Sequence, residues 1–174
     1  MNTLSARAIP AAPVLRSSIP QEVALDLDVA NRWEALRAAS AVIARSSGVN
    51  AAPVFRALWR RELAASTALG NGFAIPHARV AGISEPLTVY ARLRTPVGFA
   101  APDHRPTSEL LVLLVPNNAD NAMHLELLAL IAEMFADSAF RARLVASSDA
   151  AAVRSTFQGW IAERTARAGV TTPG

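Results

Sequence analysis

The chain has 174 residues, which suits one domain, and 52% of them are hydrophobic, enough for a sizeable core. It contains no cysteine, which excludes a disulfide framework and a thiolate metal site and is typical of a reducing cytoplasm. All 17 basic residues are arginines, the net charge is only +3, and no basic stripe is interleaved with aromatic residues, so nucleic-acid binding is not expected.

Residues 1–18 carry no acidic side chain, contain Pro10 and Pro13, and show no clear periodicity. We expect them to form a flexible N-terminal arm rather than a targeting sequence, because they lack a continuous apolar stretch. No apolar run in the chain approaches the roughly 20 residues that a membrane-spanning helix needs. We therefore expect no membrane insertion and a cytoplasmic location.

A strand and two helices are predicted next. Apolar residues alternate over 19–27, as in a half-buried strand. Asp28 is a candidate N-cap for a helix that ends near Gly48. A second helix is expected to start at Asn50, with Val54 and Leu58 among the residues on its inner face.

The segment 66–79, with the sequence STALGNGFAIPHAR, is the part of the chain that most clearly indicates a functional site. Its glycines, Gly70 and Gly72, allow positive φ and a close approach of the backbone to a bound group, and Pro76 fixes its own φ and favours an extended residue before it. We expect His77 at the end of a strand, beside a loop whose N–H groups and hydroxyls could surround an anion. Taken alone, these residues favour a hairpin turn with a surface histidine, because a Gly-x-Gly with one histidine is weak evidence of a site.

Two strands are predicted after this segment. Residues 86–94 alternate apolar and polar side chains, and residues 110–115 are apolar on both faces, which is typical of a central buried strand. His104 lies in the loop between them.

Three helices are predicted to follow. The first covers about 119–135 and carries His124 near its beginning, and two more extend to Ala162. Residues 163–174 are expected to form a frayed tail, which places the domain at 19–162. Strands scattered among helices, without strict βαβ alternation, predict an α+β fold with a mixed parallel and antiparallel sheet flanked by helices on both faces.

Two motifs together resemble a known family. Arg61 and Glu62, with the run from Ser66 to His77, match at every fixed position the phosphorylation-site signature of type-2 enzyme IIA (EIIA) proteins of the bacterial phosphoenolpyruvate-dependent phosphotransferase system (PTS). The segment 124–129, HLELLA, resembles the part of these proteins that carries their second active-site histidine. The resemblance covers roughly residues 18–160 and implies the family's fold.

The resemblance also implies a phosphohistidine carrier, a transferase that uses no cofactor. His77 would accept a phosphoryl group from the phosphocarrier protein HPr or its nitrogen-branch counterpart NPr. Arg61 would neutralise phosphate charge, and His124 would lie across the pocket as an oxyanion donor or orienting group. Ser66 and Thr67 would offer hydroxyls to the phosphate.

Without the resemblance, His124 reads as a capping or partly buried helix residue. A metal site is not expected, because the three histidines of the chain show no short spacing typical of ligands.

Three functions remain open at this point. The first is a nitrogen-regulatory EIIA that binds regulatory target proteins, indicated by a chain that ends soon after one EIIA domain. The second is a fructose- or mannitol-type EIIA that passes phosphate to a sugar-specific IIB domain. The third is a binding module on the same fold that acts without phosphate, against which the presence of both His77 and His124 argues.

Overall fold

The structure, a computed structural model, describes residues 10–169. Of these, residues 20–121 form one compact unit, and residues 10–19 with 122–169 form another. The strands are β1 (Glu22–Leu27), β2 (Ala68–Gly70), β3 (Phe73–Ala74), β4 (His77–Val80), β5 (Leu87–Val97) and β6 (Thr107–Pro116). The helices are α1 (Ala12–Ser17), α2 (Arg32–Ser47), α3 (Ala51–Ala64), α4 (Asn121–Ala136), α5 (Ser138–Ala146) and α6 (Ala150–Gly169).

The strands form one sheet in which parallel and antiparallel pairs are mixed. β6 is antiparallel to β5 and parallel to both β3 and β4. β1 joins β5 in parallel, and β2 joins β3 in the antiparallel sense. The predicted α+β class and mixed sheet are thereby confirmed.

The central strand is β6, as predicted from its apolar run. Each residue from 110 to 115 is fully buried. Val112 and Leu114 belong to the core of the unit 20–121, together with Leu36 of α2 and Leu58 of α3. α2 contacts β1 and β5, and α3 contacts β4, so α3 is the helix that lies next to the strand of His77.

α2 begins later than the sequence pattern predicted. Its N-cap is Asn31, not Asp28, and the Asn31 side chain accepts a hydrogen bond from the N–H of Glu34 at 3.0 Å. The Glu34 carboxylate accepts one in return from the N–H of Ala30 at 2.9 Å. This reciprocal pair satisfies two otherwise unpaired donors, which a cap at Asp28 would not do. At the other end, Gly48 takes φ of 75° and ends the helix where predicted.

The two ends of the described chain are more helical than the sequence indicated. α1 lies within the expected arm 1–18, and its Val14 is buried. Pro13 stands in its first turn, where the missing N–H costs no hydrogen bond. α6 continues past Ala162, where fraying was expected, and its buried Arg164 pairs with Glu133 at 3.1 Å.

Residues 1–9 and 170–174, which make up the rest of the predicted arm and tail, lie outside the described residues. The domain limits of 19 and 162 stay a prediction. Among the helices of residues 10–169, none combines the length and apolar character that crossing a bilayer requires.

Candidate active site

A tight turn shapes the loop before the candidate nucleophile. Gly70, Asn71 and Gly72 have φ of 89°, 55° and 84°, so the predicted use of glycine at positive φ is confirmed. The Asp103 carboxylate accepts a hydrogen bond from the N–H of Asn71 at 2.7 Å and one from the N–H of Arg105 at 3.1 Å. These two bonds hold the pKa of the Asp103 carboxyl below its ordinary value, and the bond from Asn71 has the larger effect. A Cβ atom at Gly70 would lie 3.0 Å from the same carboxylate, which would have to shift by a few tenths of an ångström to make room for it.

His77 begins a strand instead of ending one. β3 stops at Ala74, and β4 starts at His77, which pairs with Leu113 of β6 in parallel. Pro76 separates the two strands because it has no N–H to donate to the sheet. Its carbonyl accepts a hydrogen bond from the N–H of Leu113 at 2.9 Å, so the backbone next to His77 is fixed to the buried strand.

The imidazole of His77 lies between a backbone carbonyl and a guanidinium. Its Nδ1 atom is 2.8 Å from the carbonyl oxygen of Ile75, and a carbonyl can only accept, so Nδ1 carries the proton. Its Nε2 atom accepts a hydrogen bond from the Nε–H of Arg61 at 3.1 Å. Arg61 is held in turn by a bond from Nη1 to the carbonyl of Ala65 at 2.7 Å. The structure thus brings together two of the predicted site residues.

The surroundings of His77 favour its neutral form. Burial of the ring lowers its pKa below 6.5, and the positive charge of Arg61 lowers it further, while the hydrogen bond to Ile75 acts in the opposite direction. A neutral imidazole with an unprotonated Nε2 is a nitrogen nucleophile, and the adjacent guanidinium is suited to oxyanions. The arrangement can therefore attack an electrophilic centre that carries negative charge.

The hydroxyls of Ser66 and Thr67 have acceptors within the protein. Ser66 donates to the carbonyl of Phe99 at 2.5 Å and accepts from the N–H of Ala68 at 3.1 Å. Thr67 donates to the Glu62 carboxylate at 2.6 Å. Their predicted contact with phosphate stays a prediction, and in the described state both hydroxyls stabilise the loop.

Arg79 links β4 to the loop that leads into α4. Its Nη1 atom donates to the carbonyl of Ala119 at 2.8 Å, and its Nη2 atom donates to the Asn121 side chain at 2.7 Å. Longer bonds reach the carbonyls of Pro116 and Asn117. The residues just before α4 are therefore anchored to the strand of His77.

His124 lies in the first turn of α4, as predicted, and belongs to the unit that contains residues 122–169. Its placement across the pocket stays a prediction. Among the described residues, no cluster of His, Cys, Asp or Glu side chains is suited to hold a metal ion.

No role was predicted for three residues near the site, Glu62, Arg79 and Asp103, although Glu62 stands at a fixed position of the phosphorylation-site signature. A signal was present for Glu62, because Val54, Leu58 and Glu62 recur at helical spacing and all three are buried. For Arg79 and Asp103 the sequence offers no comparable signal, since partners such as the carbonyl of Ala119 and the N–H of Asn71 are distant along the chain.

The chain is similar to known proteins in sequence and in fold. Residues 20–159 match the family model "Phosphoenolpyruvate-dependent sugar phosphotransferase system, EIIA 2". A nitrogen regulatory protein of Bradyrhizobium diazoefficiens is 34% identical over 145 residues, which cover 83% of this chain and 94% of that protein.

The chain is also similar to a solved structure and to a sugar-specific protein. The crystal structure of the nitrogen regulatory protein IIA-Ntr from Neisseria meningitidis has a TM-score of 0.75 and 38% identity, covering 82% of this chain and 99% of the other. A fructose-specific EIIA component from Haloferax volcanii is 32% identical over 107 residues, or 62% of this chain and 66% of that protein. The sugar-specific proteins are thus the more distant relatives.

Proposed function

Because the chain belongs to the EIIA type-2 family of the phosphoenolpyruvate-dependent sugar phosphotransferase system, we propose that it is a phosphohistidine carrier of the nitrogen-regulatory type and that His77 accepts the phosphoryl group. The observation that carries this proposal is the geometry of the His77 ring. A carbonyl holds the proton on Nδ1, and the opposite nitrogen is unprotonated and next to a guanidinium.

The transfer step follows from this tautomer. The lone pair on Nε2 of His77 forms a bond to phosphorus, while the bond from phosphorus to the imidazole nitrogen of the donor breaks and its electron pair returns to that ring. The proton stays on Nδ1 of His77, which donates it as a hydrogen bond to the carbonyl of Ile75, so no separate base is needed. The donor would be phosphorylated HPr or NPr.

Arg61 supplies the positive charge that the transferred group requires. The transition state of phosphoryl transfer is loose and carries spread negative charge, so positioning and electrostatics do most of the work. Arg61 already lies 3.1 Å from the attacking nitrogen, and a small rotation would bring its N–H groups to the phosphoryl oxygens. His124 would donate a further hydrogen bond to these oxygens, with Ser66 and Thr67 contributing after their hydroxyls rotate.

The nitrogen-regulatory branch is supported by the relatives. A curated nitrogen regulatory protein and a solved IIA-Ntr are each covered almost in full by this chain. In this branch the phosphorylation state would change which regulatory target proteins bind in the cytoplasm. In the sugar-transport branch, the phosphoryl group would instead pass to a IIB domain.

Intact mass spectrometry tests the proposal. The protein is mixed with phosphoenolpyruvate, enzyme I and HPr or NPr. We expect the mass of the wild type to increase by one phosphoryl group and the mass of the His77→Ala variant to stay unchanged. Absence of that gain in the wild type would favour a binding module that acts without phosphate. Rapid onward transfer to a fructose- or mannitol-specific IIB domain would assign the protein to sugar transport instead.

A further inference from the structure

Glu62 is a buried acid beside the candidate site, and the mechanism above does not use it. It follows Arg61 in the last turn of α3, and only 2% of the residue is exposed. An isolated buried carboxylate is costly, so a buried acid is expected to have hydrogen-bond partners. Its partners lie in the loop that leads to His77.

One oxygen of Glu62 holds Thr67 at two points. Oε2 accepts a hydrogen bond from the backbone N–H of Thr67 at 3.1 Å and another from its hydroxyl at 2.6 Å. The other oxygen, Oε1, lies 3.9 Å from Nη1 of Arg32, whose guanidinium is over the ring of Trp59. Oε1 has no hydrogen-bond partner among the described residues, so the contacts that hold the carboxylate in place are those of Oε2 with Thr67.

The hydrogen bonds continue from Thr67 to the imidazole. The carbonyl of Thr67 accepts from the N–H of Ile75 at 3.0 Å, and the carbonyl of Ile75 accepts from Nδ1–H of His77 at 2.8 Å. Each bond in this chain sets the position of the next acceptor. The carbonyl that selects the His77 tautomer is thus located by a path that begins at Glu62.

We propose that Glu62 is a positioning residue for His77: by holding Thr67, its carboxylate keeps the Ile75 carbonyl where it accepts a hydrogen bond from Nδ1–H, so that Nε2 stays unprotonated and carries the lone pair that attacks phosphorus. This role rests on the proposed function of His77 as phosphoryl acceptor. The geometric part of it, the control of the tautomer, exists in the unphosphorylated protein.

The test compares Glu62→Met, which keeps length and helix propensity but has no strong acceptor, with Glu62→Gln, whose amide oxygen can still accept from Thr67. Glu109→Met is the matched control. Glu109 is equally buried, at 3% exposure, but its carboxylate binds Tyr90 and Arg92 of β5 instead of the loop. Thr67→Val, which removes the hydroxyl and keeps the N–H, tests the same contact if Glu62→Met does not fold.

Two readouts separate positioning from simple stability. The first is the ¹⁵N spectrum of the His77 ring in the unphosphorylated protein, which reports which nitrogen carries the proton and needs no phosphoryl donor. We expect Nδ1–H in the wild type, in Glu62→Gln and in Glu109→Met, and a mixture of tautomers in Glu62→Met. The second is the rate of transfer from phosphorylated HPr, where Glu62→Met should lower kcat about 10- to 100-fold with little change in KM.

The outcomes are distinguishable. A Glu62→Met protein that melts lower but keeps the Nδ1–H tautomer and the normal kcat would overturn the positioning role. If the wild type itself accepts no phosphate, the proposed function fails, and the ¹⁵N spectrum still decides whether Glu62 controls the ring. A mixed tautomer in Glu109→Met as well would also overturn the inference, since any lost buried carboxylate would then have the same effect.

Discussion

Arg61 and His77 share a hydrogen bond that has to break before His77 can react. The lone pair on Nε2 that accepts the Arg61 Nε–H at 3.1 Å is the pair that would form the bond to phosphorus. The guanidinium therefore occupies the position of the incoming group in the described state. In the proposed transfer, Arg61 would exchange a neutral nitrogen acceptor for charged phosphoryl oxygens, which form the stronger bond.

Replacing His77 with Ala should abolish phosphorylation and leave the protein folded. The side chain is only partly buried, and the backbone of its segment is held independently by β6. His104→Ala, which removes an exposed imidazole from a loop, is the control and should be phosphorylated normally. Intact mass and far-UV circular dichroism are measured, and loss of the folded state in His77→Ala would identify His77 as structural.

The Arg61→Ala variant should change both the rate and the pH dependence of phosphoryl acceptance. Loss of a charge-assisted bond worth about 2 to 3 kcal/mol corresponds to a roughly 30- to 150-fold slower step. The pKa of His77 lies below its ordinary value, mainly through burial and partly through Arg61. The wild-type rate should therefore stay constant from neutral pH to below pH 6.5 and fall only as the ring protonates.

Without Arg61 the pKa of His77 should rise, because a cation that disfavours protonation is gone. The acid limb of the pH–rate profile then moves to higher pH. Single-turnover rates between about pH 5 and 8, the range in which histidine titrates, provide the measurement. A slower reaction with an unshifted acid limb would show that Arg61 acts on the phosphate but not on the resting imidazole.

Local patterns predicted the parts of the fold that local forces determine. The apolar run of β6, the cap at Asn50 and the positive φ of Gly70 and Gly72 all follow from single residues or short periodicities. The start of α2 was wrong because Asp28 and Asn31 are both good caps, and only Asn31 has a glutamate placed to complete the reciprocal pair.

The sequence predicted two side chains that the structure brings together at the candidate site, but not the contacts that hold them in place. The motif named His77 and Arg61, and the structure places them in contact. The roles of Arg79 and Asp103 depend on backbone groups that only the folded chain brings near them. The tautomer of His77 likewise depends on where the Ile75 carbonyl points, which no residue type determines.

Asp137 should contribute more to stability than Asp149, although both residues cap a helix. Its carboxylate accepts from the N–H groups of Ala139 and Phe140 at the start of α5, and also from the indole of Trp160 at 3.0 Å. Within residues 10–169, the Asp149 carboxylate caps α6 by accepting from one N–H group, that of Ala152. We expect Asp149→Ala to lower the free energy of unfolding by about 1 kcal/mol, and Asp137→Ala to lower it by about 1 kcal/mol more than that. Urea denaturation measures both, and equal losses would show that the indole bond contributes nothing.

His104→Gly should stabilise the protein. His104 has φ of 58°, a left-handed conformation that costs a residue with a Cβ atom about 1 to 2 kcal/mol, and its side chain is exposed. Glycine removes this strain but increases the entropy of the unfolded chain, so the net gain should be about 0.5 to 1 kcal/mol. Arg105→Gly is the control, since Arg105 does not have positive φ and should only lose stability. A lower melting temperature for His104→Gly would contradict the expectation.

His124 is the residue for which a catalytic and a structural role predict the most different results. If it donates a hydrogen bond to the phosphoryl oxygens, His124→Gln keeps a donor and should accept phosphate at nearly the normal rate. His124→Ala should then be roughly 30- to 150-fold slower, the effect of about 2 to 3 kcal/mol. Both variants should melt close to the wild type, because the residue lies in the first turn of α4 and is only partly buried. Normal phosphorylation of His124→Ala, together with a melting temperature several degrees lower, would instead make His124 a packing or capping residue and leave His77 and Arg61 as the site.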